Sequence, residues 1–309
     1  MRYRGGFGSH RGMAGGRGQS GGAVGNPRRR CAVQPGQVLN GTFVPGETIA
    51  VNPREPFFAH GFGLFETLRV EDRRPHFLAA HVQRMEEAAA ELRLEGPPSL
   101  DEARSDLAKL LAGTGEDTLR VRVHLLGRSD GGTDILYVGE PVQPLVLPAE
   151  AATLGIAAPR FNGALALPGL KTMNYLANRL AEREGRERGF DEVVFTLPDG
   201  TVTEGTRSTV ILVKDEVLLT PPLDLPILPG VTRATVLELA RGLGYATTER
   251  RFGVAALLDA DEIFLTGSVS GIRPVRRVLD RVLAPSPGPV TQAIARAYAA
   301  RVAIEPQLS

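Results

Sequence analysis

At 309 residues and 42% hydrophobic content, the chain can bury one large core or two moderate ones, and its composition is that of a globular protein. Cys31 is the only cysteine and no apolar run reaches membrane-spanning length, which excludes an internal disulfide, a thiolate metal cluster and a transmembrane helix. The net charge of +1 hides an asymmetry: residues 1–36 carry seven arginines and no acid, leaving 29 basic and 35 acidic residues for the body.

The stretch 1–36 is rich in Gly and Arg, has almost nothing to bury, and is expected to be a disordered tail. Such a tail can contact nucleic acid electrostatically. A solvated extension or an early translation start explains it as well, so nucleic acid is not taken as a partner. With no apolar core, the segment is not expected to act as a secretory signal. The lone cysteine suits a reducing cytoplasm. The five histidines show no ligand spacing for zinc, so no metal is expected.

Order is expected from about Gly36. Asn40-Gly41, between two short apolar runs at 38–44, is a hairpin signal because both residues tolerate positive φ. Residues 63–70 read as a strand. Over 77–94, Leu78, Val82, Met85, Ala89 and Leu92 share one helical face, with His81 and Arg84 three apart beside it. A second helix is predicted at about 100–113, then strands at 118–125 and 134–138. Three prolines within 141–148 mark a domain boundary. Beyond it the pattern predicts a helix near 173–188, strands at 191–197, 208–213 and 216–219, and a helix over 231–242. Strands near 247–252 and 262–266 and a terminal helix near 288–303 complete the chain. The expected architecture is mixed α/β (α+β): a tail at 1–36, a small N-terminal domain at 37–146, and a larger C-terminal domain at 147–309.

The chemistry concentrates in Lys171-Thr-Met-Asn-Tyr175 and Thr203-Glu-Gly-Thr206. A lysine just ahead of a helix, with a lone glutamate downstream in an apolar strand context, suits a Schiff-base cofactor. Pyridoxal phosphate needs an amine to form an imine and an acid near its ring nitrogen. Gly230-Val231-Thr232 opens a predicted helix, where free amides and the helix dipole favour an anion such as a phosphate.

Six segments occur in order: His60-Gly-Phe-Gly-Leu-Phe-Glu-Thr-Leu-Arg69, His81-x-x-Arg84, Lys171 to Tyr175, Thr203 to Thr206, Leu228-Pro-Gly-Val-Thr-Arg233, and Ala260-Asp-Glu-Ile-Phe-Leu-Thr-Gly-Ser268. Together they resemble the class IV aminotransferase family of pyridoxal-phosphate enzymes from about Val38 to Val275. The resemblance implies that family's two-domain fold and a homodimer, with the C-terminal domain binding the cofactor. It implies that Lys171 holds the cofactor and shuttles the substrate proton, and that Glu204 pairs with the pyridine nitrogen. Tyr175 would meet the ring hydroxyl. Arg84 would clamp the phosphate with a bidentate fork, joined by Val231, Thr232 and Ser268.

Within the family, the substrate is a small molecule whose identity rests on few residues. D-amino-acid enzymes carry tyrosine at Phe65 and an Arg-x-His trap in the loop at 127–132, where this chain reads Gly-Arg-Ser-Asp-Gly-Gly. Branched-chain enzymes favour Gly at Thr67. Deoxychorismate lyases favour Thr there and end in a segment similar to Ser268-Val-Ser-Gly-Ile-Arg-Pro-Val275, though Gly267 stands in place of their asparagine. The lyase of folate biosynthesis is the leading expectation, with Thr67 orienting Lys171. Phe65, Arg128, Ser270 and Arg273 would face the substrate. A branched-chain aminotransferase is the alternative. An inactive binding protein with a basic nucleic-acid-binding tail is a third class, against which the joint presence of Lys171, Glu204, Arg84 and Tyr175 argues.

Deleting residues 1–36 is expected to leave folding and catalysis intact, because that stretch has no apolar periodicity. A truncated protein that fails to fold or to bind cofactor, judged by circular dichroism and cofactor absorbance, would overturn this.

Overall fold

The computed structural model describes residues 35–159 and 169–308. The tail expected at 1–36 lies, up to residue 34, outside the described residues. Strands β1 (Gly36–Leu39) and β2 (Thr42–Pro45) form the predicted hairpin, with Asn40 at φ 47° and Gly41 at φ 77°. The Asn40 side chain also donates to Asp134 (2.9 Å) and accepts from the Ile135 amide (2.8 Å), which ties the turn to the neighbouring strand.

A short helix α1 (Pro56–His60) leads into β3 (Gly63–Glu71), which turns back through β4 (Arg74–Pro75). Helices α2 (Leu78–Leu92) and α3 (Leu100–Thr114) follow, then β5 (Leu119–Gly127) and β6 (Thr133–Pro141). Ser99 and Glu102 close a reciprocal cap on α3, satisfying amides that the first helical turn leaves free. These strands form a six-stranded sheet in the order β2-β1-β6-β5-β3-β4. Its apolar face (Leu64, Leu68, Val70, Val121, Leu125) packs on Val82, Met85, Leu107 and Leu110 of the two helices. The opposite face of β3 and β5 carries Phe65, Thr67, Arg122 and His124 by simple alternation.

After the Pro-rich stretch come β7 (Ala152–Ile156), α4 (Leu176–Glu187), β8 (Glu192–Thr196) and β9 (Val202–Gly205). Next are β10 (Thr209–Lys214), β11 (Val217–Thr220), α5 (Val231–Gly242), β12 (Thr247–Glu249) and α6 (Val254–Asp259). The chain closes with β13 (Glu262–Gly267), β14 (Gly271–Val278), β15 (Arg281–Val282) and α7 (Pro289–Ala303). The second sheet runs β12-β11-β10-β13-β14-β7-β8-β9, with β15 on β14. Both faces are covered: Val210 and Leu212 point to one core, Ile211 and Val213 to another beneath α5 and α7. That is why β10 reads as a continuous apolar run rather than an alternation. Among the described residues no helix is long and apolar enough to cross a membrane.

Several elements were not legible in the sequence. Strand β14 contains Pro274, which argues against a central strand. Its pairing with β13 ends at Pro274 and its pairing with β7 starts at Val275, so the missing amide falls where the ladder changes hands. Strand β7 is only five residues long and contains Gly155, whose absent Cβ makes room for the Phe190 ring. The helix expected from 173 begins at Leu176, because residues 171–173 are drawn out as an extended segment along β3.

That segment joins the two halves of the fold. Leu64 bridges Thr172, the Phe65 amide donates to the Lys171 carbonyl (2.9 Å), and the Met173 amide donates to the Gly63 carbonyl (3.0 Å). Gly63 permits the approach: a Cβ there would sit 2.6 Å from the Leu125 carbonyl oxygen and 2.8 Å from Met173 Sδ. Gly63→Ala is therefore expected to lower stability by about 1–3 kcal/mol, read by thermal unfolding. Gly242→Ala, where nothing lies within 4 Å of the new Cβ, is the matched control and should be neutral or stabilising.

Candidate active site

A cavity of about 680 Å³ lies where the first sheet meets the second, within the range of small-molecule sites. Phe65, Thr67, Arg84, Lys171, Tyr175, Glu204, Val231, Thr232, Ser268, Ser270 and Arg273 all line it. They come from six separate stretches of chain that alternation, a helix start or a turn aims at one volume.

Lys171 Nζ donates to the Tyr175 hydroxyl at 3.2 Å and sits 4.3 Å from the centre of the Phe65 ring. Burial lowers its pKa to about 8; nearby Arg84 and Arg122 add to that, while Glu66 and Glu204 oppose it. The amine is thus partly neutral near neutral pH, as a nucleophile or base requires. The expected bond from Thr67 is not made: Thr67 lines the cavity, but the hydrogen bond that orients Lys171 comes from Tyr175, four residues along its own segment. Burial and the charge of Glu204 push the Tyr175 phenol well above its usual range, so it stays a neutral donor.

Glu204 accepts one hydrogen bond, from the Leu228 amide at 3.0 Å. Burial raises its pKa to about 7, against the pull of that bond and of Lys171 and Arg84. A buried carboxylate held by a single amide is poised to gain a cationic partner. The turn that carries it is braced by Glu192, which accepts from the Thr206 amide (3.1 Å), the Thr206 hydroxyl (2.7 Å) and the Ser208 hydroxyl (3.0 Å). Nothing in the sequence marked Glu192, since its role depends on a turn whose Thr206 lies 14 positions along the chain.

The bidentate fork of Arg84 is made to Glu66, not left open for an anion. Nε donates to one carboxylate oxygen (2.8 Å) and Nη2 to the other (2.6 Å), while Nη1 donates to the Pro229 carbonyl (2.8 Å). His81 Nδ1 lies 2.8 Å from the same carboxylate. Although burial opposes it, Arg84 and His81 hold Glu66 ionised far below the usual carboxylate range. Arg84 therefore lines the cavity as a guanidinium already fixed by Glu66 and pinned against the loop before α5. The pattern His81-x-x-Arg84 places both side chains on one turn of α2, but only the register of β3 reveals that Glu66 faces them.

An anion cradle faces this arginine. Gly230 is the N-cap of α5 and no side chain among the described residues caps that end. The Thr232 and Thr266 hydroxyls are buried without a hydrogen bond of ordinary geometry, although Thr232 lies beside Tyr298. Ser268 sits in the tight turn joining β13 to β14, where Gly267 pairs with Gly271. Uncapped amides plus orphaned hydroxyls are what a phosphate would satisfy. Lys171, Tyr175, Glu204 and this cradle together fit pyridoxal phosphate: an amine, a phenol, an acid and an anion site around one volume.

The substrate residues expected from the sequence separate. Arg273 lines the cavity with Nε on the Glu150 carbonyl at 3.0 Å. Arg128 is not a lining residue: it is ion-paired to Asp130 and Asp134 in the β5–β6 hairpin, so it does not meet a substrate in this chain's cavity. Arg122 does line it, and makes no side-chain hydrogen bond or ion pair among the described residues. The signal was present in Leu119-Arg-Val-Arg-Val-His124, whose alternation puts Arg120, Arg122 and His124 on one face, but not which face.

The family model described as Amino-transferase class IV matches residues 63–278. The aminodeoxychorismate lyase of Bacillus subtilis is 32% identical over 273 residues, covering 84% of this chain and 92% of that protein. A putative branched-chain-amino-acid aminotransferase of Methanocaldococcus jannaschii is 29% identical over 254 residues, covering 79% and 88%. The crystal structure of the branched-chain aminotransferase from Thermoproteus uzoniensis superimposes with a TM-score of 0.80 at 27% identity, covering 87% of this chain and 95% of that one. The cavity has the groups a pyridoxal-phosphate enzyme needs, and with these likenesses the chain belongs to the class IV aminotransferase family.

Proposed function

We propose that the protein is a 4-amino-4-deoxychorismate lyase, forming 4-aminobenzoate and pyruvate for folate biosynthesis and acting as a homodimer. The observation that carries this reading is the polar wall beside Lys171. Thr67 and Arg122 are register partners across β3 and β5, and Arg122 has no counter-ion among the described residues. An unpaired guanidinium suits a substrate with two carboxylates; a leucine or valine side chain would instead need apolar surroundings. The likeness to the Bacillus subtilis lyase over 84% of the chain supports the same reading.

In this reading Lys171 would bind the cofactor, with Glu204 and Tyr175 holding its ring. The α5 amides with Thr232, Thr266 and Ser268 would hold its phosphate, beside the positive charge that Glu66 fixes on Arg84. Once bound, the cofactor supplies an electron sink for the pair released at the amine-bearing carbon. Lys171 Nζ takes the proton from that ring carbon. The neighbouring C–O bond breaks with its pair on oxygen, and the ring becomes aromatic. Lys171 is suited to the proton because burial brings its pKa down to about 8, so that part of the amine is neutral near neutral pH. Arg122 holds a substrate carboxylate so that the C–H bond faces Nζ.

Two measurements test this. Assayed beside leucine, valine and alanine as amino donors, aminodeoxychorismate should give aminobenzoate well above any transamination; efficient leucine transamination without aminobenzoate would make the protein a branched-chain aminotransferase. Borohydride should fix the cofactor on Lys171, as read by peptide mapping, and Lys171→Ala should lose nearly all turnover. Because the amine reacts only when unprotonated, cofactor uptake by the apoprotein should rise with pH through a midpoint at about 8 and level above it. A midpoint at an ordinary lysine value would mean that Lys171 is solvated.

A further inference from the structure

We propose that His124 donates a hydrogen bond from Nε2 to the oxygen through which the departing enolpyruvyl group is attached to the substrate ring. This rests on the lyase reading above. His124 lines the cavity from β5, directly opposite Phe65 on β3. The two rings are 6.0 Å apart and within 25° of parallel, so they form adjoining tiles of one wall. Lys171 Nζ lies 4.3 Å above the Phe65 tile. The imidazole is therefore the next group along from the amine that handles the proton, and the leaving oxygen is attached one carbon along from the carbon that loses it. Arg122, the neighbouring position on the same face, takes the carboxylate and leaves the bridging oxygen to His124.

The two ring nitrogens are not equivalent. Nδ1 is buried and has no hydrogen-bond partner. A buried N–H without an acceptor is rarer than an acceptor without a donor. The tautomer assigned on that ground carries its proton on Nε2, the nitrogen left to face the cavity. Burial, reinforced by the Arg122 charge, lowers the imidazole pKa to about 4, so it is neutral at physiological pH. A neutral, fixed N–H can stabilise negative charge as it develops on oxygen without first giving up a hydration shell.

The elimination balances with these groups alone. The C–H bond at the amine-bearing carbon breaks and its proton moves to Lys171 Nζ. The electron pair ends as a ring double bond, and the C–O bond leaves with its pair on oxygen, where the His124 N–H meets it. The proton on Lys171 then neutralises the enolate, and the enol becomes pyruvate.

The test uses the holoenzyme with His124→Phe, which keeps the ring stack, and His124→Gln, which keeps a neutral donor. His124→Phe should lower kcat for aminobenzoate by about 10²–10³-fold, the loss found when one donor to a developing oxyanion is removed. Cofactor absorbance should be unchanged and KM should stay within about threefold. His124→Gln should recover about tenfold of that loss or more. In deuterated water, substrate recovered from the His124→Phe reaction should carry deuterium at the amine-bearing carbon, because proton removal now outruns C–O cleavage and reverses. A kcat equal to wild type, or a loss without deuterium uptake, would overturn the assignment while leaving the lyase reading intact. A wild-type enzyme that forms no aminobenzoate would overturn both.

Discussion

Two backbone hydrogen bonds between the Lys171 segment and the first residues of β3 hold the rest of the site in place. They turn a loop of the second half of the chain into a short extra strand on the first sheet. The Lys171 side chain then lies over Phe65, and Tyr175 sits 5.0 Å from the same ring at nearly a right angle. Without that seam the amine would be solvated and its pKa ordinary. The glycines at 61 and 63 make the seam possible. A Cβ on Gly61 would strike the Asn174 side chain at 2.6 Å, and one on Gly63 would strike backbone.

Around this seam, buried charges are paired in an order that leaves few of them free. Glu66 is held by Arg84 and His81, and Arg84 in turn grips the carbonyl of Pro229, so the entry to α5 is tied to α2. Arg69, almost fully buried on the same strand, bonds Glu71 at 3.1 Å and reaches the carbonyls of Val269 and Gln143. It therefore fixes the Ser268 turn and the Pro-rich connection against the first sheet. Arg233, the last residue of the Leu228–Arg233 motif, borders the cavity but spends its guanidinium elsewhere: it bonds Glu249 at 2.6 Å and the Pro221 carbonyl at 3.0 Å, pinning α5 to the second sheet. Pairs of this kind add little net stability because desolvation offsets the attraction, but removing one partner leaves a buried charge, which is costly. Their effect is positional.

What stays unpaired is correspondingly informative. Lys171, Glu204 and Arg122, which have no ionic partner among the described residues, and the Thr232 and Thr266 hydroxyls are the groups that bound molecules would satisfy. The cavity thus divides chemically: an anion cradle at α5 and the β13–β14 turn, an acid and a phenol near the amine, and a polar strand wall of Thr67, Arg122 and His124 opposite.

The sequence by itself determined the local pieces. The Asn40-Gly41 turn, the amphipathic faces of α2 and α3, and the uncapped start of α5 all follow from short-range sterics and periodicity. The resemblance carried by the motif order, rather than sterics, named Lys171, Tyr175, Glu204, Thr232 and Ser268 as candidates, and it was legible because each motif lies within a few residues of chain. Only the tertiary structure decided what those pieces meet. Alternation put Arg122 and His124 on one face of β5, but the β3–β5 register was needed to turn that face toward Lys171 rather than toward α2. The same register gave the Arg84 fork to Glu66, and the hairpin acids withdrew Arg128 from the cavity. Glu192 and β14 stayed hidden for one reason: a buried carboxylate and a proline-containing strand are unfavourable locally and become favourable only once distant amides and neighbouring strands satisfy them.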